Sequence, residues 1–226
     1  MSKKESYLKA INKKNFPLAL TLLDQELNED PENPELLYNF AICCSQTSNH
    51  KKAISVLEEI LAKFPKFIER DNIYRLIIYS KILMGENQDA LALIEERLKI
   101  SIDDIKLLSF RAFIFEKMNQ IEDAIAVHRK ILTIQPDYKN SLNSLGYLLI
   151  NEREPSKEDV YEAMHCLKKA MQEDSNNPAY LDSFGMLLLA QGSIENAQKA
   201  FSKALSLMPG EPTILQHASR IIREKA

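Results

Sequence analysis

Apolar residues recur along this chain at helical spacing, in paired stripes separated by short polar breaks. In the stretch 178–211, Leu181, Phe184, Leu188 and Leu189 mark one amphipathic helix. After the break AQGS, Ile194, Ala197, Ala200, Phe201, Ala204 and Leu205 mark a second, which Pro209 closes. Asn177 followed by Pro178 is a strong helix start, and Asn33-Pro34 repeats it earlier in the chain. Two amphipathic helices joined by so short a turn must lie antiparallel.

The pair is copied along the chain. Ala19, Ala53, Ala90, Ala124, Ala163 and Ala197 are each followed four residues on by Leu23, Leu57, Ile94, His128, Leu167 and Phe201. The intervals between the alanines are 34, 37, 34, 39 and 34 residues, and Pro31, Pro65, Pro136 and Pro209 close four of the units at matching places. A period of this length marks stacked supersecondary units. The units run over 1–33, 34–70, 71–104, 105–138, 139–177 and 178–211. The remainder, PTILQHASRIIREKA, reads as an amphipathic helix over 212–226 with Ile214, Leu215, Ala218, Ile221 and Ile222 inward, capping an end that would otherwise be greasy. The fifth unit carries extra residues around Pro155, where Ser156 and Asp159 form a plausible capping pair for the next helix.

Gly185 stands inside one of these helices, where it costs about 1 kcal/mol relative to alanine. Close approach of the two helices of the unit offsets that cost, with Ala197 and Ala204 expected opposite. Gly85 and Gly192 fall instead in the turns, where positive φ is easily adopted.

These residues resemble the tetratricopeptide repeat family, whose signature runs from a large residue through Leu-Gly and an aromatic to alanine, an aromatic and a closing proline. The last unit reads Leu181, Phe184-Gly185, Leu188, Ala197, Phe201, Ala204, Pro209, and the one before it Leu142, Leu145-Gly146, Leu149, Ala163, Leu167, Ala170. Ala41, Ile78 and Ala112 replace the glycine in units two to four; the first unit keeps Phe16, Ala19, Leu23 and Pro31. The tryptophan of the signature is replaced throughout by leucine or tyrosine. The last two units resemble C-terminal repeats of bacterial members. The resemblance implies an all-α fold: a right-handed superhelical α-solenoid of six helix-turn-helix repeats and a capping helix, one domain over 1–226.

It also implies that the first helices of successive units line a concave groove. The residue after each glycine or its replacement gives the row Leu8, Ile42, Tyr79, Phe113, Tyr147 and Met186, apolar in every unit. One turn later come Ser45, Ile82, Glu116, Ile150 and Leu189. One turn earlier the row is more polar, with Tyr38, Arg75, Ser109, Asn143 and Asp182. An apolar floor with a polar margin suits an extended or helical peptide; the competing reading is that these side chains pack between helices. Ile42, Tyr79 and Phe113 stand where a polar carboxylate clamp for chaperone C-termini would need lysine or asparagine, so a co-chaperone is disfavoured. The expected function is a non-enzymatic adaptor for a protein or peptide partner. The alternative is self-assembly, with the groove or the terminal SRIIREKA engaging a second copy; a third reading, an RNA-binding helical repeat or an enzyme, lacks net positive charge and site residues.

Composition narrows the classes further. Of 226 residues, 45% are hydrophobic and 27% charged, as in ordinary folded proteins rather than disordered ones. The net charge of −3 gives no electrostatic basis for nucleic-acid binding. No apolar run approaches the roughly 20 residues of a membrane span, and the start MSKKESYLKA lacks the apolar core of a secretory signal. Cys43, Cys44 and Cys166, odd in number and two of them adjacent, suit a reducing compartment, so a cytoplasmic protein is expected. His50, His128, His165 and His217 share no metal-ligand spacing. His128, on an apolar stripe, reads as a packed histidine, and the three cysteines read as core residues. No phosphate loop, cofactor motif or catalytic set is found, and no cofactor is expected.

Overall fold

Asparagine, aspartate and proline decide where the helices begin. Asn33 Oδ1 accepts hydrogen bonds from the backbone N–H groups of Glu35 and Leu36 at 3.0 and 3.2 Å, with Pro34 in the first turn. Asn177 does the same for Ala179 at 3.0 Å ahead of Pro178, and Asp104 for Lys106 and Leu107 at 3.0 and 3.1 Å. Ser156 and Asp159 form the expected reciprocal capping box: the Asp159 N–H donates to Ser156 Oγ at 3.1 Å, and the Ser156 N–H to Asp159 Oδ2 at 2.9 Å.

The computed structural model describes residues 3–151 and 155–224, with side chains described from 6 to 151 and from 155 to 221. Part of the insertion ahead of Pro155, and the inward placement expected of Ile222, lie outside those side chains. Among the described residues the chain is all helical, with thirteen helices and no strand. They are α1 (Lys3–Asn12), α2 (Phe16–Glu29), α3 (Pro34–Gln46), α4 (His50–Lys63), α5 (Arg70–Leu83), α6 (Asn87–Leu98), α7 (Ile105–Lys117), α8 (Ile121–Ile134), α9 (Lys139–Asn151), α10 (Lys157–Glu173), α11 (Pro178–Ala190), α12 (Ile194–Leu207) and α13 (Pro212–Glu224). Consecutive helices pair as hairpins, the arrangement of an α-solenoid, and the sequence-derived units each hold one hairpin. The sequence reads as one array over 1–226; the structure divides into two compact units, residues 1–102 with α1 to α6 and residues 103–226 with α7 to α13.

Five of the turns inside the hairpins share one geometry. Lys14, Ser48, Gly85, Asn119 and Gly192 each take positive φ, between 56° and 79°. The next N–H then donates five residues back, as from Asn49 to the Cys44 carbonyl and from Ser193 to the Leu188 carbonyl, both at 2.8 Å. Glycine meets this demand at two of the five turns; lysine, serine and asparagine occupy it elsewhere.

In unit 1, Tyr7, Ala10, Ala19, Leu23, Leu36 and Cys43 form one buried cluster, and Leu37, Ala41, Val56, Leu57, Ile60, Ile73 and Ile77 form a second. In unit 2 a larger cluster runs from Ala124 on α8 to Ile221 on α13. The glycine of the last hairpin does mark a close crossing, but its neighbour differs from the expected Ala197 and Ala204. A Cβ on Gly185 would sit 2.7 Å from the ring of Phe201, and one on Gly146 would sit 2.5 Å from Cγ of Leu167. The large residue four after the alanine lies over the glycine. A second difference concerns α13. Ile214 and Ile221 are buried as expected, whereas Leu215 is 48% exposed and His217 is buried in its place. The helix that starts at Pro212 puts 214, 217 and 221 on one face, so a pattern built from apolar residues alone passes over the histidine.

Candidate functional site

In unit 1, α3 and α5 pack side by side, joined by a hydrogen bond between the buried Ser45 and Ser80 hydroxyls at 3.3 Å. This fixes the rotation of both helices and therefore which row faces solvent. Tyr79 on α5 is 38% exposed. Arg75, one turn before, is half-buried and donates from Nη1 to Asn72 Oδ1 at 2.9 Å. Leu83, one turn after Tyr79, is exposed as well; the sequence rows, which take one residue per helix turn at fixed register, skip it. Arg75, Tyr79 and Leu83 make a stripe at four-residue spacing, a basic head followed by two apolar contacts.

The rest of the predicted set in this unit is more enclosed. Ile42 is half-buried, as is Leu8 on α1. Tyr38 is half-buried with its ring edge-on to Phe67, centroids 5.9 Å apart. Burial, reinforced by the Glu69 carboxylate, pushes its phenol above the usual tyrosine range. Ile82 is buried. Its expected role as a groove contact is corrected accordingly: one turn beyond Tyr79 the helix has rotated far enough to point that side chain into the core.

In unit 2, Phe113 on α7 is 43% exposed, and Lys117 Nζ lies 5.3 Å from its ring centroid, a cation–π contact on the solvent side. Asn143 and Tyr147 on α9 are half-buried. Three predicted contacts in this unit are corrected. Ile150 is buried, Asp182 is 6% exposed and Met186 is 4% exposed. Asp182 is covered by α13, which packs on α11 and α12, and Met186 belongs to the buried cluster of this unit. Asp182 Oδ2 lies 2.7 Å from His217 Nδ1, and His217 Nε2 lies 3.3 Å from the Tyr147 hydroxyl. A chain of polar groups thus ties α11 to α13 and α13 to α9.

A second polar chain has the residue types of a hydrolase. Glu116 Oε1 is 2.9 Å from His128 Nε2, and His128 Nδ1 is 3.0 Å from Ser141 Oγ. Ser141 is only 1% exposed, so no substrate reaches its hydroxyl in this conformation; the contacts join α7, α8 and α9. They also explain how a histidine tolerates the position that phenylalanine holds in the last hairpin. The three cysteines are free and buried. Burial is the main cause that raises the Cys43 and Cys166 thiols to about 11, with the neighbouring Cys44 and Glu162 adding to it respectively; the Cys44 thiol is raised by burial too. Such thiols are poor nucleophiles. Among the described residues no group of three or more His, Cys, Asp or Glu could hold a metal ion, and no helix is long and apolar enough to cross a membrane.

Comparison with known proteins places these features. Family profiles described as tetratricopeptide repeat match residues 10–76 and 179–210. The TPR repeat-containing protein PA4667 of Pseudomonas aeruginosa is 30% identical over 124 residues, a match covering 55% of this chain and 20% of that protein. The chain therefore spans a fifth of the length of that relative. A tetratricopeptide repeat protein from Parabacteroides merdae superposes with a TM-score of 0.69 at 16% identity, over 85% of this chain and 73% of that one. A chain of the APC/C hetero-tetramer Cut9-Hcn1 superposes with a TM-score of 0.74 at 13% identity, over 96% of this chain and 41% of that one.

Proposed function

Since the chain belongs to the tetratricopeptide repeat family, we propose that it is a non-enzymatic adaptor that captures a segment of another protein on the first-helix faces of its hairpins. Proteins of this fold serve in general as protein-interaction scaffolds, and the Cut9-Hcn1 structure is itself a protein assembly. The observation that carries the reading is the pair of large aromatic residues left open to solvent on first helices, Tyr79 in unit 1 and Phe113 in unit 2. Each has a cation within one turn, Arg75 and Lys117. Aromatic side chains beside basic ones favour a partner segment with apolar anchors and acidic flanks. Ile42 and Tyr38 on α3, and Asn143 and Tyr147 on α9, are half-buried on the first helices of their own units. The buried free cysteines suit a cytoplasmic setting, which belongs to the same proposal.

Site-specific photo-crosslinking tests it. A photoreactive phenylalanine analogue is placed at position 79 or 113 and, as a control, at Tyr161, which is exposed on the second helix α10. The proposal expects a discrete crosslinked protein from 79 and 113 and none from 161. Equal crosslinking at all three positions, or none at any, would contradict it.

A further inference from the structure

Charge in the first two hairpins is sorted by position along the helices. No aspartate or glutamate occurs in residues 6–23 or 36–57, whereas Asp24, Glu26, Glu29, Asp30, Glu32 and Glu35 crowd the stretch between them. Helices α1 to α4 pack consecutively through short connections, so their directions alternate. The α1–α2 turn and the α3–α4 turn therefore lie at one end of these hairpins, and the carboxylates gather toward the other. A helix of 14 residues holds the two ends about 20 Å apart. That separation exceeds the Debye length of about 8 Å at physiological salt, so the acidic end does not neutralise the opposite one.

The turn end carries Lys9, Lys13, Lys14, Lys51 and Lys52, all exposed. Lys51 and Lys52 break a local rule. They open α4, whose first turn holds no acidic residue, at the positive end of the helix dipole, where a cation costs stability. The second helices α8, α10 and α12 carry Glu122, Glu158 and Glu195 in that turn. The following hairpin bounds the patch, because there Lys81 is paired with Glu86 at 3.1 Å. Leu18, in the first turn of α2 and so at the same end, is 48% exposed.

We propose that this lysine edge docks on an anionic lipid surface. Every cation in it is lysine, and the chain holds no arginine before Arg70. Lysine is a hydrated point charge on a flexible stem, suited to mobile headgroups; fixed carboxylates on a polypeptide are matched better by the bidentate fork of arginine. The cations project from two neighbouring turns, and clusters of this size hold proteins to phosphatidylserine-containing membranes. Leu18 adds a second signal, an aliphatic side chain that reaches the boundary between headgroups and acyl chains. RNA offers no such apolar layer. The edge uses none of the residues assigned to partner capture, so the proposal goes beyond the adaptor reading and does not depend on it.

The test is co-sedimentation of the full chain with phosphatidylcholine vesicles, either pure or containing about one-third phosphatidylserine. The chain is expected to bind the mixed vesicles at about 0.1 M salt, to leave them at about 0.5 M, and to ignore the pure ones. Replacing Lys9, Lys13, Lys51 and Lys52 together by glutamate should weaken binding at least about a hundredfold. If circular dichroism shows that this variant fails to fold, Lys51→Glu with Lys52→Glu serves instead, since glutamate is favoured at a helix start; its expected loss is about tenfold. Leu18→Ala should weaken binding roughly threefold at unchanged salt dependence. No binding to the mixed vesicles, equal binding to both kinds, or affinity left intact by the lysine or the leucine substitutions overturns the proposal. Tighter binding to a glutamate-rich peptide or to RNA at the same concentration of negative charge overturns it too.

Discussion

Tyr79 on α5 and Met186 on α11 hold the same register position on first helices of two hairpins, one after Ile78 and the other after Gly185. Yet the tyrosine is 38% exposed and the methionine 4%. Neither the hydrophobic pattern nor the repeat signature separates them. Met186 lies in the buried cluster that extends to α13, whose phase after Pro212 turns Ile214, His217 and Ile221 inward, whereas Tyr79, an exposed residue, is in no such cluster. Position within a repeat thus says which way a side chain points, and the next helix decides whether it stays open. The crossings differ as well. Unit 2 uses Gly146 and Gly185, each beneath a bulky side chain, while unit 1 holds Ala41 and Ile78 at the corresponding places, both fully buried.

The sharpest way to break the comparison is Gly185→Leu. Its first added atom would already fall 2.7 Å from the Phe201 ring, so that ring must shift before the rest of the side chain is placed. The substitution is expected to cost more than about 3 kcal/mol in urea unfolding; stability equal to wild type would contradict the assigned crossing.

Next in size is Met186→Ala, which removes a buried side chain and should cost about 2–3 kcal/mol. Tyr79→Ala at the same register position should stay within about 0.5 kcal/mol. Chemical denaturation of the two variants side by side measures the gap, and equal losses would mean that both residues belong to the core.

The cysteines probe whether both cores are sealed. The Cys43 thiol in unit 1 and the Cys166 thiol in unit 2 are each raised to about 11 from an ordinary 9.0. A folded pKa above the unfolded one means that the unfolded chain releases its proton first. Their contribution to stability is therefore complete below pH 9 and is lost as pH rises toward 11. Native protein at pH 8 should resist thiol reagents until denaturant is added, whereupon all three cysteines react. Rapid labelling of one native cysteine would show that its unit opens.

The smallest effect is expected at a turn. Ser48 holds φ of 62° where the hairpin of α5 and α6 has Gly85 at 79°. Ser48→Gly relieves that strain and should stabilise the protein by about 0.5 kcal/mol, read as a rise in melting temperature.

Most of the fold was legible because it is written in local chemistry. The alanine series set the hairpins, Asn33-Pro34 and Asn177-Pro178 set helix starts, and Ser156 with Asp159 announced the capping box that forms. The candidate face was legible only in part. Tyr79 and Phe113 emerge exposed, but Ile82, Ile150, Asp182 and Met186 do not, since their burial depends on helix rotation and on contacts between residues 35 or more apart in sequence, as between Asp182 and His217. An apolar stripe read from the sequence omits His217, because it is polar. Leu83 was passed over because it falls outside the one-per-turn register. A pattern that allows one hydrogen-bonding residue in a buried stripe would have found the histidine.

The most direct measurement combines melting with partner capture for a Tyr79→Ala, Phe113→Ala double variant against Met186→Ala. The account predicts that the double variant melts within a degree or two of wild type, as expected for surface substitutions, and no longer retains the protein that crosslinks at position 79. A melting temperature lowered as far as that of Met186→Ala, or capture left intact, would contradict it.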